Sequence, residues 1–358
     1  MTEVSSGGSQ RSSPRSSDEV AVSAPDVVYV AWTVFQRRQV SMAQLVEMEC
    51  VFLPVAIGGS VNKVTKACRY ARLMHRTMTL LRRRKPAVVW LQIPQVPLLW
   101  AALLYRRLFD TSVRLVADCH NAMFVQRWAR VPFGLSSLGR CDLVLVHNDA
   151  VQKAAAEMGV PTSRTVVLED VPPTPAPALS SIPVQFAGRP RPWVLFPGSF
   201  AADEPIREVL EAACLSGVGT IVITGRRENA AAGGHDIGEV RPNVVMPGYL
   251  QTEDFDALLC HCDVVLALTK VDGIQLSVCN EALGFGKPMV MSDTSLLRAL
   301  FGDAAVLVRS EDPADIAAGI RAAYQDIGKY SSASLQLAER RRTEWLVKYD
   351  TCRRLLST

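Results

Sequence analysis

From Pro25 onward, short runs of consecutive apolar residues alternate along this chain with longer amphipathic stretches. Val27-Val28-Tyr29-Val30-Ala31-Trp32, Cys50-Val51-Phe52-Leu53, Ala87 to Gln92, Arg114 to Asp118 and Leu143 to His147 are too short for helices. They lack a polar face, as strands buried on both sides of a parallel sheet do. Asn62 to Arg84, Pro97 to Leu108 and Ala150 to Met158 read as helices between them, and strand, helix, strand predicts a parallel sheet covered by helices. The second half repeats the rhythm. Its strands are Trp193 to Phe196, Thr220 to Thr224, Val244 to Met246, Val264 to Leu268, Met289 to Met291 and Ala305 to Val308. Helices are expected at Pro205 to Cys214, Glu253 to Cys260, around Glu281, at Pro313 to Ala323 and at Ser332 to Leu356, the last with a basic face.

The halves meet at Val171-Pro172-Pro173-Thr174-Pro175-Ala176-Pro177, followed by Pro183, Pro190 and Pro192. Such a run neither donates into a ladder nor continues a helix, which marks a linker. The expected organisation is therefore a Ser-rich disordered tail over 1–25 and a first Rossmann-like domain over 26–172. A linker over 173–190, a second domain over 191–330 and a C-terminal helix over 331–358 follow. Two domains suit a chain of 358 residues.

Composition narrows the class. The tail lacks the apolar segment of a secretory signal, and the nine cysteines follow no paired spacing, which together predict reduced thiols in a cytoplasmic protein. Cys260-His261-Cys262 has no second ligand pair, so it reads as helix-end packing and no metal is expected. No apolar run approaches the roughly 20 residues that span a bilayer. The net charge is only +4, yet no Asp or Glu occurs between Val51 and Phe109. Lys63, Lys66, Arg69, Arg72, Arg76, Arg82, Arg83, Arg84, Lys85, Arg106 and Arg107 concentrate positive charge there. Lys66, Arg69, Arg72 and Arg76 recur at helical spacing beside Val64, Ala67, Leu73, Leu80 and Leu81. Next to the apolar Pro97 to Leu108 stretch, this predicts docking to an anionic membrane surface, against a plain solvated face. No nucleic-acid recognition motif accompanies it, and no nucleic acid is expected as partner.

The stretch richest in chemistry runs from Ala267 to Pro288. A strand enters the polar loop Thr269-Lys270-Val271-Asp272-Gly273-Ile274-Gln275-Leu276, a helix carries Glu281, and Gly286-Lys287-Pro288 stops that helix. Backbone N–H groups and the positive end of a helix dipole at the carboxyl edge of a parallel sheet bind a diphosphate favourably. Glu281 would accept from a ribose, or stand as an ordinary surface glutamate on a crossover helix. No Gly-x-Gly-x-x-Gly fingerprint supports a nicotinamide or flavin.

Phe196-Pro197-Gly198-Ser199-Phe200-Ala201-Ala202-Asp203-Glu204-Pro205, Ile223-Thr224-Gly225-Arg226-Arg227, Met246-Pro247-Gly248-Tyr249-Leu250 and the Glu281 segment resemble, in this order, the donor-binding half of GT-B glycosyltransferases. The likeness is to bacterial family 4-like enzymes and the chitobiosyl-diphosphodolichol β-mannosyltransferases, over about residues 190–310. The first half is similar in rhythm, in Asp118-Cys119-His120-Asn121 and in Val146-His147-Asn148. One departure stands out. Many family 4 enzymes carry two glutamates separated by seven residues, whereas Gly273 stands eight before Glu281 and Asp272 one further back; Asp272-Gly273 replaces the first acid-glycine pair after a shift, or that role is absent.

The resemblance implies a GT-B fold: two Rossmann-like parallel-sheet domains facing a cleft, with the C-terminal helix packing back towards the first. It implies an NDP-sugar donor held by Gly198, Ser199, Arg226, Arg227, Lys270, Gln275, Leu276, Ser277 and Glu281, with no cofactor and no metal. Asp118 would be the general base of an inverting enzyme; in a retaining one His120 would contact the sugar or leaving phosphate. Structural alternatives are a helix cap for Ser199 or Asp118, a turn bond for His120, solvated charges for the arginines and a flexible edge loop for Lys270 to Ser277. His147 reads as structural and Asn148 as a helix cap. The implied activity is transfer of a hexose to a glycan, on a polyprenyl diphosphate carrier, by a cytoplasmic enzyme peripheral to the inner face of the cell membrane in cell-surface polysaccharide assembly. An epimerase or phosphorylase on the same fold and a non-catalytic GT-B partner are the alternatives.

Overall fold

The computed structural model describes residues 26–54, 62–120, 122–125, 127–175, 181–215, 217–238 and 240–357. The expected tail over 1–25, Asn121 and residues 176–180 of the expected linker lie outside the described residues. The first half holds β1 (Val27–Ala31), α1 (Arg37–Ala43), β2 (Glu49–Phe52), α2 (Lys63–Arg84), β3 (Val88–Ile93), α3 (Val96–Leu108), β4 (Arg114–Cys119), α4 (Ala122–Val125), α5 (Gly134–Leu138), β5 (Leu143–Val146), α6 (Asp149–Glu157) and β6 (Thr165–Val167). The second holds β7 (Trp193–Pro197), α7 (Ile206–Ala212), β8 (Thr220–Thr224), β9 (Val244–Gly248), α8 (Thr252–His261), β10 (Val264–Ala267), α9 (Ser277–Gly284), β11 (Met289–Ser292), α10 (Ser295–Phe301), β12 (Ala305–Val308), α11 (Pro313–Gln325) and α12 (Ile327–Ser357).

Each half builds a six-stranded parallel sheet, ordered β2-β1-β3-β4-β5-β6 and β12-β11-β10-β7-β8-β9. Both orders reverse direction once, between β1 and β3 and between β10 and β7, and ligands of open α/β sheets bind at the carboxyl ends of such switch points. The strands alternate between two buried faces. Val28, Val30, Val89 and Leu91 join one core and Tyr29 and Trp90 the other; Leu195 and Val265 lie on one face of the second sheet, Val194 and Leu266 on the opposite one. Burial on both faces is why these strands read as continuous apolar runs.

Helix α12 joins the halves. Leu337 and Ala338 pack in the second core, while Trp345, Tyr349, Cys352 and Leu356 close the first against Tyr29 and Trp90. Its Arg342 donates to the carbonyls of Pro172 (3.2 Å) and Pro173 (2.6 Å), tying the interdomain crossing to the helix. Helix α9 approaches the same crossing so closely that a Cβ on Gly284 would lie 2.3 Å from the Pro173 carbonyl oxygen.

The basic α2 packs Leu73, Thr77 and Leu81 inward and leaves Arg72, Arg76, Arg82 and Arg83 exposed. The apolar α3 beside it is mainly core: Leu98, Leu99, Ala101, Ala102 and Tyr105 are buried, and only Leu104, Leu108 and the following Phe109 face outward. Apart from that outward edge, the Pro97 to Leu108 stretch supplies the helix layer over β3 and β4. Among the described residues no helix is long and apolar enough to cross a membrane.

Candidate active site

The carboxyl ends of the two sheets face a shared cleft, about 570 Å³ in volume, lined from the first half by Phe35, Arg37, Arg38, His120, His147 and Asn148 and from the second by Gly273, Gln275, Ser277, Asn280 and Glu281. Asp170, Val171 and Pro173 of the crossing segment also line it.

The first wall is organised by a buried ion network. Arg38 sends Nε (2.8 Å) and Nη2 (3.0 Å) to the two carboxylate oxygens of Asp118, Nη1 (2.6 Å) to Asp170 and Nη2 (2.8 Å) to the Leu168 carbonyl. Tyr29 donates its hydroxyl to Asp118 as well. Burial alone would raise the Asp118 carboxyl, but Arg38 and His147 outweigh it and hold it well below the usual carboxylate range. Burial beside Asp118 pushes the Tyr29 phenol up. His120 follows β4, its Nδ1 accepting the Ala122 N–H at 3.3 Å, and Asn148 caps α6 by accepting the Val151 N–H at 2.9 Å.

The second wall is a loop braced from below. Thr269 N–H donates to Ser292 Oγ (2.8 Å), Thr269 Oγ1 to Asp203 (2.8 Å) and Lys270 N–H to the Asp203 carbonyl (2.7 Å). Asp272 turns to α10, accepting from Ser295 N–H (3.1 Å), the Ser295 hydroxyl, Leu296 N–H (3.3 Å) and its own neighbour Gly273 N–H (2.7 Å). The Ser295 bonds, Leu296 and Gly273 draw its carboxyl down to about 2. Gly273 sits at φ +81°, the left-handed region glycine favours, and leads into α9, whose N-cap Leu276 offers no side-chain cap. Of the first amides of α9, that of Cys279 donates to the Leu276 carbonyl (3.1 Å), and those of Ser277 and Val278 are left by the side chains to a ligand or water.

Among the described residues Arg37 joins the two walls. Arg37 crosses from α1 to Asp256 on α8 (Nη1 to Oδ2, 2.9 Å, with Nη2 to Oδ1) and to Glu281 on α9 (Nε to Oε1, 3.3 Å). Burial raises the Glu281 carboxyl, with Arg37 opposing.

This arrangement agrees with what the chain resembles. Residues 191–326 match the family model described as Glycosyl transferases group 1. Over both halves the chain superposes on HepE from Anabaena, solved in complex with UDP-glucose, with a TM-score of 0.63 at 14% identity, covering 92% of this chain and 99% of that one. The fold is GT-B. Sucrose-phosphate synthase from Thermosynechococcus elongatus shares it (TM-score 0.58, 13% identity, 92% and 99% covered), as does the UDP-GlcNAc 2-epimerase from Neisseria meningitidis bound to UDP-GlcNAc (0.52, 12%, 90% and 99%). No curated protein matches the chain in sequence.

In this GT-B cleft the sequence-predicted residues divide. His120, Gln275, Ser277 and Glu281 line it, and Leu276 sets the start of α9. Asp118 does not: at 2% exposure, with both oxygens held by Arg38, it lies behind the wall, out of reach of an acceptor hydroxyl. The general base expected there is corrected on that ground. Gly198 and Ser199 stand at the end of β7, but the carboxylate of Glu204 already takes the Ser199 N–H (2.9 Å), the Ser199 hydroxyl (2.7 Å) and the Phe200 N–H (2.7 Å). An internal anion fills the cradle foreseen for phosphate. Lys270 is turned away to Glu208 on α7 (3.0 Å), and Arg226 lies 4.8 Å over the Tyr249 ring; neither they nor Arg227 line the cavity. Asp272 is bound to the start of α10 and does not line the cavity.

Arg37, Arg38, Asn280 and His147 were missed as cleft residues. The only trace of the first pair is two arginines shortly after a predicted strand, without helical periodicity to place them. Among the described residues no group of His, Cys, Asp or Glu has the arrangement of a metal site.

Proposed function

We propose that the chain is a glycosyltransferase that moves a hexose from an NDP-sugar to a glycan acceptor. The observation that carries this reading is the α9 start, with its uncapped N–H groups and Glu281 one turn on, opening into a cleft between two GT-B halves. The diphosphate takes the Ser277 and Val278 amides at the start of α9 and the Ile274 to Leu276 backbone, where a helix dipole favours anionic charge, and needs no metal ion. Glu281 accepts from the ribose. Asn280 and the first wall hold the sugar. Arg37 and the α12 brace keep the walls close enough to exclude water from the activated donor.

The acceptor is a glycan on a polyprenyl diphosphate, used in cell-surface polysaccharide assembly at the inner face of the membrane. Exposed Arg72, Arg76 and Arg83 form one stripe of α2, and Arg82 lies 4.4 Å over Phe109, beside exposed Leu104 and Leu108. This mixture of cations and apolar groups supports peripheral docking to anionic lipid. Donor and acceptor panels test the whole reading: full-length protein is given UDP-, GDP- and dTDP-hexoses with polyprenyl-diphosphate glycans. Hexose passing into the lipid phase supports it. A sugar isomerised without acceptor would identify an epimerase, and donor bound but never consumed would identify a non-catalytic partner.

A further inference from the structure

A diphosphate that leaves a sugar takes on a full unit of negative charge, whereas a helix start offers the equivalent of only about half a positive one. The cations expected to supply the remainder are elsewhere: Lys270 pairs with Glu208, and Arg226 and Arg227 do not line the cavity. The arginines that do line it are Arg37 and Arg38. Arg38 is fixed to Asp118, Asp170 and the Leu168 carbonyl, with its side chain 5% exposed. Arg37 is different. Its side chain is 20% exposed, and it spends only three of the five N–H groups of a guanidinium, two on Asp256 and one on Glu281. Glu281 stands four residues beyond Ser277, about 6 Å along the axis from the first amide of α9. Arg37 bonds its Oε1, which leaves Oε2 to a ribose hydroxyl.

We propose that Arg37 is the cation of the leaving group: held by Asp256 and Glu281, it donates its remaining N–H groups to the nucleoside diphosphate. The assignment rests on the glycosyltransferase reading and adds to it a catalytic residue from the first half. In the step, the acceptor oxygen bonds to the anomeric carbon and its proton ends in solvent. The bond from that carbon to the donor oxygen breaks, and its electron pair stays on the nucleoside diphosphate, where Arg37 and the Ser277 and Val278 amides meet the added charge. A guanidinium suits this place, because its planar fork keeps two edges on carboxylates and still presents N–H groups. Phe35, whose ring centroid lies 5.5 Å from Arg37 Cζ, adds an apolar neighbour, and low polarity strengthens the attraction. The cation belongs to the first half and its anchors to the second, so it is in place only while the walls meet. Bond breaking is thereby tied to a closed cleft, in which water does not intercept the sugar.

Three variants and a small cation test this. The donor is UDP-glucose, GDP-mannose or dTDP-glucose, whichever stabilises the wild type most, and the acceptor a polyprenyl-diphosphate glycan. Arg37→Gln should lower kcat about 100-fold or more while the donor Kd, read by calorimetry, changes less than about threefold, because the α9 amides and Glu281 still hold the nucleotide. Arg37→Lys should fall between. Guanidinium ion at millimolar concentration should restore the kcat of Arg37→Ala several-fold and leave that of Arg37→Lys unchanged, a response that a mere brace between the walls would not give. A donor Kd near that of wild type shows that each variant is folded. Arg37→Gln keeping more than about a third of kcat overturns the proposal, as does a donor Kd weakened as much as kcat, or no rescue by guanidinium. Should the wild type itself neither bind nor transfer from any of the three sugars, the glycosyltransferase reading falls and the assignment with it.

Discussion

The Asp118 carboxylate organises the first wall through charge it cannot share with solvent. Removing it leaves Arg38 buried without its main partner, and breaking such a pair typically costs about 3–5 kcal/mol. Asp118→Ala should therefore move the urea midpoint down strongly at pH 7. Because the folded carboxyl is held below its unfolded value, this stabilisation is present above the ordinary carboxylate range of about 4 and is lost as pH falls through the folded value. Thermal scans from neutral pH downward should show a steeper acid limb for wild type than for Asp118→Asn; parallel limbs would contradict the linkage. Asp272 acts locally in a different way. It pins the donor-side loop to α10, so Asp272→Ala should raise donor KM several-fold and leave kcat little changed, with Asp272→Asn in between because its amide oxygen still accepts. Equal KM values in all three proteins would show that the loop needs no such tether.

Helix α9 links the ligand wall to the interdomain crossing. With Pro173 O only 2.3 Å from where a Cβ would stand, Gly284→Ala forces the helix or the crossing to shift, at a cost of about 1–3 kcal/mol. Calorimetry should register that loss together with weaker donor binding, and an unaltered Tm would mean the contact gives way freely. Helix α2 carries the docking claim. Charge reversal at Arg72, Arg76 and Arg83 should weaken binding to vesicles containing phosphatidylglycerol by about 1 kcal/mol or more per residue, and unchanged sedimentation would remove the α2 surface from the account. At this scale the sequence was readable wherever burial imposed a pattern. The central strands announce themselves because they are covered on both faces, as Val28-Tyr29-Val30 shows by filling both cores, whereas the short edge strand β6, only partly buried, was not expected. Helix α1 did not, since Arg37 to Ala43 has no apolar period and owes its place to ion pairs with residues far along the chain. Ser199 and Lys270 were misplaced for a related reason: which acid neutralises a given donor, Glu204 or Glu208 here, depends on loop geometry that spacing does not encode.

Across the molecule, the two halves are held by Arg37 at the cleft and by α12 behind it. Trp345 and Tyr349 stack on each other within the first core while Arg341 reaches Asn280 Oδ1 at 2.8 Å, so a single helix touches both the first sheet and the donor wall. The GT-B architecture was legible because four motifs fall in register along the second half; the composition of the cleft was only partly so, because Phe35, Arg37 and Arg38 reach it from a stretch of the first half with no sequence signature. The central claim is that a nucleotide sugar sits between α9 and the first wall. Thermal unfolding of wild type and Glu281→Ala with UDP-, GDP- and dTDP-sugars tests it most directly. At about 100 times its dissociation constant one of these donors should stabilise wild type by about 2.7 kcal/mol and Glu281→Ala by clearly less. If none of them stabilises wild type, or if Glu281→Ala responds to the same extent, the cleft does not hold a nucleotide sugar in this way.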